Sequence, residues 1–439
     1  ELVAGGESGT IKSSRDLIQW VKMQHGPVEI DLRESRISRG QAFIKKFLES
    51  NNCDVSPEFT DEFYKRTDAR PIFVVELLRF LKDRNVLSQN SLGVWEEISN
   101  VQDWKNIPYR LTKPEALIED RLSQLDEELR EILKLASIEG FEFRAQVIVL
   151  ITGLDERIVL RALSDELGRK HDFVREISEE RVGNKVLSYF RFTNVWYQNH
   201  VYNSIGMGEK RLLHEKVAES LESLYGENAL SIAIDLSRHY ELGRNLIKAA
   251  DYLLEAGIQQ ASNSQYEEAN QTFERALLLS REVNYVAGII DALRYTATKV
   301  KLSRGGLENY QKAEKLLEEC LPLAEEQERL EAVSYILRAK GRIHRYFGRN
   351  IEAMYSYMES LRIATQIDDK KQIGACFNNI GVLASSEKRV EDAHFYYTRR
   401  LDLAEEIDDD EGQVVSLMNL ASCLQKMADS RVEEKDKYL

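Results

Sequence analysis

Gly381-Val382-Leu383-Ala384-Ser385-Ser386-Glu387-Lys388-Arg389-Val390-Glu391-Asp392-Ala393-His394-Phe395-Tyr396-Tyr397 places a small residue, a second small residue twelve positions on, and an aromatic four beyond that. The spacing recurs: Gly257 leads to Ala269 and Phe273, and Gly341 to Ala353 and Tyr357. Gly257, Ala297, Gly341, Gly381 and Ala421 stand 40 residues apart, with one step of 44. The longer step reaches its small residue late, at Ala313 with Leu317 after it, and the loop Ser303-Arg304-Gly305-Gly306-Leu307 accommodates the difference. Ser280, Ala324, Ala364 and Ala404 repeat in a parallel register. Such a period describes stacked pairs of antiparallel helices. A small residue on the first helix lets the second approach, and an aromatic on the second fills the gap. No pair buries its apolar face alone, so the pairs stack. The predicted fold is mainly α and ends in an α-solenoid over residues 206–439. Ala421 opens a last repeat for which Arg431 to Leu439 supply only the start of a second helix, so the array is expected to be truncated at its C-terminal end.

Composition narrows the function classes. The chain has 439 residues and a net charge of −14, which argues against broad nucleic-acid binding because phosphate contacts need clustered Lys and Arg. No apolar run is long enough to span a bilayer, and the opening Glu1-Leu2-Val3-Ala4-Gly5-Gly6 has no signal-peptide character. With neither that nor an initiator Met, the chain reads as a piece of something longer. Cys53, Cys320, Cys376 and Cys423 are widely spaced without a C-x-x-C pair, which suits a reduced, cytoplasmic protein.

The middle of the chain has a different rhythm. Helical stripes run through Leu117, Ile118, Leu122 and Leu125, then Leu129, Ile132, Leu133 and Leu135, then Val147, Ile148 and Ile151. A fourth begins after Asp155, a good N-cap, and carries Val159, Leu160, Leu163 and Leu167. The period then changes to two: Phe173–Ile177 and Val186–Phe192 flank the turn pair Gly183-Asn184. Helices followed by a hairpin form a winged-helix pattern.

The Gly381, Ala393, Tyr397 spacing resembles the G-x11-A-x3-F/Y core of tetratricopeptide repeats, in a longer variety than the usual repeat of roughly 34 residues. Leu117-Ile118-Glu119-Asp120-Arg121-Leu122, Leu133-Lys134-Leu135-Ala136-Ser137 and Gly140-Phe141-Glu142-Phe143 resemble the winged-helix segment of STAND-class signalling NTPases. Tyr189-Phe190-Arg191-Phe192, Tyr202 and the His214-to-Leu221 helix resemble the segment leading from it into the repeats. Arg66-Thr67-Asp68-Ala69-Arg70-Pro71-Ile72-Phe73 with Glu76-Leu77-Leu78 resembles the motif R-T-G-G-N-P-x-F-x-x-E-L-L on the class's small helical lid. The resemblance covers about residues 25–280. It implies a remnant of a nucleotide-binding core (1–37), a helical lid (38–112), a winged-helix domain (113–205) and the solenoid (206–439). It also implies ATP or ADP in the parent protein, with Pro71 against the base, and none in this fragment. Two positions depart from the family: its Gly-Gly-Asn is Asp68-Ala69-Arg70, and the histidine after the strand aromatic is Asn194, following Thr193.

No catalytic set is legible. Gly6-Glu7-Ser8-Gly9-Thr10-Ile11-Lys12-Ser13 lacks the glycine before the lysine that a phosphate loop needs; it reads as a flexible loop before a helix at Asp16–Met23. The seven histidines form no H-x3-H or H-E-x-x-H pair, so no metal site is expected. The acidic runs Asp368-Asp369 and Asp408-Asp409-Asp410-Glu411 lack calcium-loop spacing and read as caps and inter-repeat turns.

Tetratricopeptide superhelices bind along the concave face lined by the first helix of each pair. On that face the repeat of Gly341 places Arg338, Arg342 and Arg345, four and three residues apart and so on one side of a helix. The preceding repeat places Arg294, Tyr295 and Lys301 there; the following ones place Asn378 and Asn379, then Asn419 and Lys426. Arg offers forked donors to carboxylate or phosphate, and Asn can clamp a peptide backbone. The expected partner is a protein or an acidic peptide or ligand in this groove, with no membrane role, and with oligomerisation belonging to the parent. The reading is a regulatory sensor and coupling fragment of a STAND-type signal-transduction protein. The rivals are a non-enzymatic scaffold and a transcription regulator with a winged-helix domain.

Overall fold

The computed structural model describes residues 32–98 and 114–437. The expected loop at 6–13 and helix at 16–23 lie outside these residues, as do residues 438–439. The chain forms two compact units that divide between Glu131 and Ile132.

The first unit holds helices α1 (Leu32–Ser50), α2 (Pro57–Thr67), α3 (Pro71–Asp83) and α4 (Pro114–Ser123). Strands β1 (Cys53–Asp54), β2 (Leu87–Gln89) and β3 (Trp95–Glu97) form a small sheet in the order β1-β3-β2. Strands this short leave no period-two signal, which is why the sequence suggested helices alone here. Proline starts both α2 and α3 at the position where a missing N–H costs nothing, and the Ser56 side chain caps α2 by accepting from the Phe59 N–H at 3.2 Å. Ile44, Phe59, Phe63, Leu77, Leu81 and Leu117 meet in the core. Leu117 belongs to α4, which packs on α3.

The second unit opens in the middle of α5 (Glu127–Glu139). Strand β4 (Glu142–Arg144), α6 (Ala145–Thr152), α7 (Glu156–Arg161) continuing as a π-helix over Ala162–Lys170, β5 (Val174–Val182) and β6 (Lys185–Phe192) complete a winged helix. The hairpin turns at Gly183, whose φ is +59°, and the three-stranded sheet runs β4-β6-β5. Asp155 caps α7 through the Arg157 N–H at 2.9 Å. The Phe143 ring stacks on Phe190 and meets Phe192 at a tilt, and all three are buried.

Helices α8 (Val195–Ser204), α9 (Met207–Tyr225) and α10 (Ala233–Leu242) lead into the array. There follow α11 (Leu246–Ser262) with α12 (Tyr266–Glu282), α13 (Val286–Tyr295) with α14 (Leu307–Glu326), α15 (Leu330–Tyr346) with α16 (Asn350–Gln366), α17 (Lys370–Ser386) with α18 (Val390–Glu406), and finally α19 (Asp410–Lys437). The small-to-aromatic spacing has its predicted cause. A Cβ on Gly257 would lie 2.5 Å from the Phe273 ring and one on Gly381 2.6 Å from Tyr397, and one on Gly341 would collide with Tyr357 in the same way. The turns share the period: Arg244, Asn284, Glu328, Asp368 and Asp408 all have positive φ. Asp369 caps α17 at the Gln372 N–H, and Asp409 accepts from the Gly412 N–H. The acidic runs are therefore caps and turns.

Two features differ from expectation. The extra four residues of one repeat are not confined to a loop: α13 continues through a π-helical stretch, Thr296–Lys301, to Arg304, and α14 runs 20 residues where α16 has 17. The last helix does not break after residue 430. Arg431 to Lys437 continue α19, and the period puts Ala428, a strong helix former, where the earlier repeats turn at Gly348 and Lys388. Among the described residues no helix is long and apolar enough to cross a membrane, and the four cysteines are free and buried.

Candidate functional site

The first helices of successive pairs, α11, α13, α15, α17 and α19, contact one another and so share a face. The predicted stripe lies on it, but its parts differ in electrostatic state. Arg294 is 7% exposed and forms an ion pair with Asp291 at 2.7 Å. Asp291 also receives Arg329 at 3.0 Å, and the Arg294 guanidinium lies over Tyr295 at 4.3 Å and Tyr335 at 5.4 Å. Burial alone would lower the Arg294 pKa; Tyr295 and Asp291 more than offset it and the net shift is upward. Lys301 donates to Asn270 Oδ1 at 2.8 Å, and its pKa is lowered, first by burial and then by Lys312. Tyr295 lines a cleft of about 350 Å³ with Glu222, Asp251, Tyr252 and Asp291. At this end Arg294 is compensated, Lys301 rests on a neutral amide, and the surroundings are acidic.

One repeat on, the balance reverses. Arg338, Arg342 and Arg345 are half-buried on α15, and none of them forms an ion pair among the described residues. Arg338 Nε donates to Gln372 Oε1 of α17 at 2.9 Å, and its guanidinium lies 5.6 Å from the Tyr335 ring, so Tyr335 is flanked by Arg294 and Arg338. Its pKa is lowered, chiefly by burial, with Arg342 adding repulsion. The ring wedged at Gly341 belongs to Tyr357, fully buried, whose hydroxyl has no hydrogen-bond partner among the described residues. Burial pushes the Tyr357 pKa up, and Arg345, Arg342 and Arg338 pull it part of the way back; Arg345 stands close enough to do so but outside hydrogen-bond geometry. No carboxylate is among the largest influences on Arg338 or Tyr357, while Asp369 and Glu331 act on the neighbouring Tyr335.

The amides lie beyond. Asn419 Nδ2 donates to Asn378 Oδ1 at 2.9 Å, and Asn379 holds a buried amide N–H with no partner among the described residues. Gln372 also reaches the buried Ser334 and Ser360 hydroxyls, at 3.4 Å each.

In the first unit, Pro71 is exposed at the start of α3, after Asp68 and Ala69, which both have φ +50°. Glu76 of the same motif accepts two bonds from Arg121 Nη1, at 3.0 and 3.2 Å, in a buried pair. Two segments quoted for the family resemblance are thereby tied together. In the second unit, Asn194 spends its side chain capping α8 through the Trp196 N–H, and Thr193 Oγ1 donates to the Asp172 carbonyl. Buried groups join the winged helix to α9 and α10. Arg144 meets Glu139 at 2.7 Å and the hydroxyls of Tyr189 and Tyr225 at 3.1 and 3.3 Å, and Arg238 donates to the Glu139 carbonyl. The wing strand β5 exposes Glu176, Glu179 and Glu180, and Arg169 and Lys170 pair with Asp165 and Glu166, which disfavours nucleic acid there.

No family model matches the chain and no curated protein does. Among solved structures, the chain is similar to a STAND protein with a tetratricopeptide repeat sensor from Pyrococcus horikoshii. The identity is 18%, the TM-score 0.39, and the match covers 89% of this chain and 57% of that one. It is also similar to BtubC (BKLC) from P. vanneervenii, at 17% identity and a TM-score of 0.34, over 53% of this chain and 88% of that one. The chain thus spans 57% of the length of the STAND protein.

Sequence reasoning put the three arginines on one side of a helix but missed the groups around them. Tyr357 was legible as a packing ring, sixteen residues after Gly341, and its hydroxyl was overlooked. The compensation of Arg294 had a signal in Asp291, three residues earlier on the same helix.

Proposed function

We propose that this chain is a regulatory sensor and coupling fragment of a STAND-type ATP-dependent signalling protein. In this reading residues 1–37 are the remnant of a nucleotide-binding core, 38–112 a lid, 113–205 a winged helix and 206–439 the tetratricopeptide-like sensor. The sensor takes a protein or acidic peptide along the first-helix face. The fragment itself performs no chemistry; ATP or ADP belongs to the parent, with Pro71 against its base. Asp68 and Ala69 hold the left-handed backbone that a glycine pair adopts most readily, and the Glu76–Arg121 pair links the lid motif to the segment after it; both support the resemblance. The Glu139–Arg144 network gives the winged helix a rigid connection to the array. A ligand on the array acts on the parent only if it binds two states with different affinity.

The observation that carries the reading is the uncompensated triad Arg338, Arg342 and Arg345 on a chain of net charge −14. Its test is fluorescence anisotropy with a labelled oligoglutamate peptide. Binding that weakens with salt, and disappears in the variant Arg338→Glu/Arg342→Glu/Arg345→Glu with its circular dichroism unchanged, is expected. Equal binding by that variant would place the acidic partner elsewhere and overturn the reading.

A further inference from the structure

Three guanidiniums that form no ion pair among the described residues act on one buried hydroxyl, that of Tyr357. On α15, Arg338, Arg342 and Arg345 follow one another at four and three residues, and the Tyr357 ring is seated at Gly341 between them. Arg338 commits one N–H to Gln372, a neutral acceptor, so its charge stays uncompensated. Elsewhere on the same face Arg294 and Arg329 share the carboxylate of Asp291. Leaving three cations together opposes folding through like-charge repulsion and desolvation. A single carboxylate would neutralise one of them. A phosphomonoester carries close to two negative charges at neutral pH and three strong acceptor oxygens, and it matches the forked donors of several arginines together.

We propose that Arg338, Arg342, Arg345 and the Tyr357 hydroxyl form a subsite for a phosphomonoester carried on a side chain of a partner peptide lying along the first-helix face. The inference rests on the groove reading above and names the chemistry of its ligand. The guanidiniums hold the phosphate oxygens, and the Tyr357 hydroxyl donates to one of them once the arginine side chains part to admit it. A peptide is the source the surroundings favour. The next helices add amides on this face: Asn378 and Asn419 bond each other, Asn379 holds an unsatisfied amide N–H, and Lys426 of α19 donates to Ser385 Oγ at 2.8 Å. Amides suit a peptide backbone, which presents a donor and an acceptor at each residue.

The test uses three labelled peptides of alanine and glutamate that differ only at a central serine, phosphoserine or glutamate, with anisotropy read on the full chain. The phosphoserine form is expected to bind at least about tenfold tighter than the glutamate form at about pH 7.5, and to lose most of that advantage at about pH 5.5, where the phosphate takes up its second proton. Tyr357→Phe is expected to bind the glutamate form normally and to lose part of the phosphoserine gain. If phosphoserine and glutamate peptides bind alike and without pH dependence, the site is a carboxylate site; this inference falls and the groove reading stands. If no peptide binds, or the triple Arg→Glu variant binds all three as well as the native chain, both fall. If inorganic phosphate binds as tightly as the phosphoserine peptide, the ligand is a free phosphate compound and the peptide assignment is wrong.

Discussion

Tyr357 serves packing and recognition at once, and the two make opposite demands. Its ring fills the notch at Gly341, while its hydroxyl is buried without a partner, a state that costs about 1–3 kcal/mol. Tyr357→Phe keeps the ring and removes the orphan, so the variant should be more stable by about 1 kcal/mol, read as a higher urea midpoint at unchanged m-value; a lower midpoint would mean that the hydroxyl is satisfied in solution. The ring was legible in the sequence because a small-to-aromatic interval recurs. The hydroxyl was not, because what surrounds it depends on how α15 and α16 are rotated about their axes. His214 and His239 were opaque for the same reason. Their Nδ1 atoms are 2.9 Å apart, with Tyr202 on the far nitrogen of His214 and Arg238 on that of His239. Burial first, then Arg238 and Lys210, lowers the His214 pKa to about 4, and burial with Arg238, His214 and Arg144 holds His239 well below 6.5. From about pH 6.5 down to about pH 4 the unfolded chain therefore binds protons that the folded chain refuses. The stability from this pair is complete above that window and is lost as pH falls through it. Urea midpoints should drop across the window, and the double variant His214→Asn/His239→Asn should drop less; equal slopes would show that the pair is not neutral in the folded protein.

At the level of elements, the helices were legible wherever an apolar stripe ran for three turns, and the β5–β6 hairpin wherever Gly183-Asn184 broke a period-two run. What was lost were the two- and three-residue strands of the first unit and β4, too short to show a period. Also lost was the π-helix at Thr296–Lys301, which changes the hydrogen-bond register without changing the residue pattern. Several repeat turns hold a positive φ without a glycine, a local strain that the sequence does not announce. Glu328 and Lys388 sit at φ +52° and +62°, where a side chain costs roughly 1 kcal/mol. Glu328→Gly and Lys388→Gly should each stabilise the array by about 0.5–1 kcal/mol, measured by denaturant unfolding. A loss of stability in both would mean that the side chains contribute more than the backbone strain removes.

For the whole molecule, the charge average conceals the feature that matters. A net charge of −14 describes the surface at large, while one helix of the array holds three arginines that form no ion pair among the described residues. The spacing of Arg338, Arg342 and Arg345 could be read from the sequence because helical periodicity fixes which residues share a side. That Arg329 joins Arg294 on Asp291, and that Lys301 bonds Asn270, could not be read with the same ease, since these contacts come from neighbouring elements. In the proposed reading this face, at α15 and α17, is where an acidic partner binds. Hydrogen–deuterium exchange with and without a saturating acidic peptide tests it most directly. The expected result is added protection over Leu330–Tyr346 and Lys370–Ser386, absent in the triple Arg→Glu variant. Protection confined to the second helices, Asn350–Gln366 and Val390–Glu406, or to the winged helix, would contradict it.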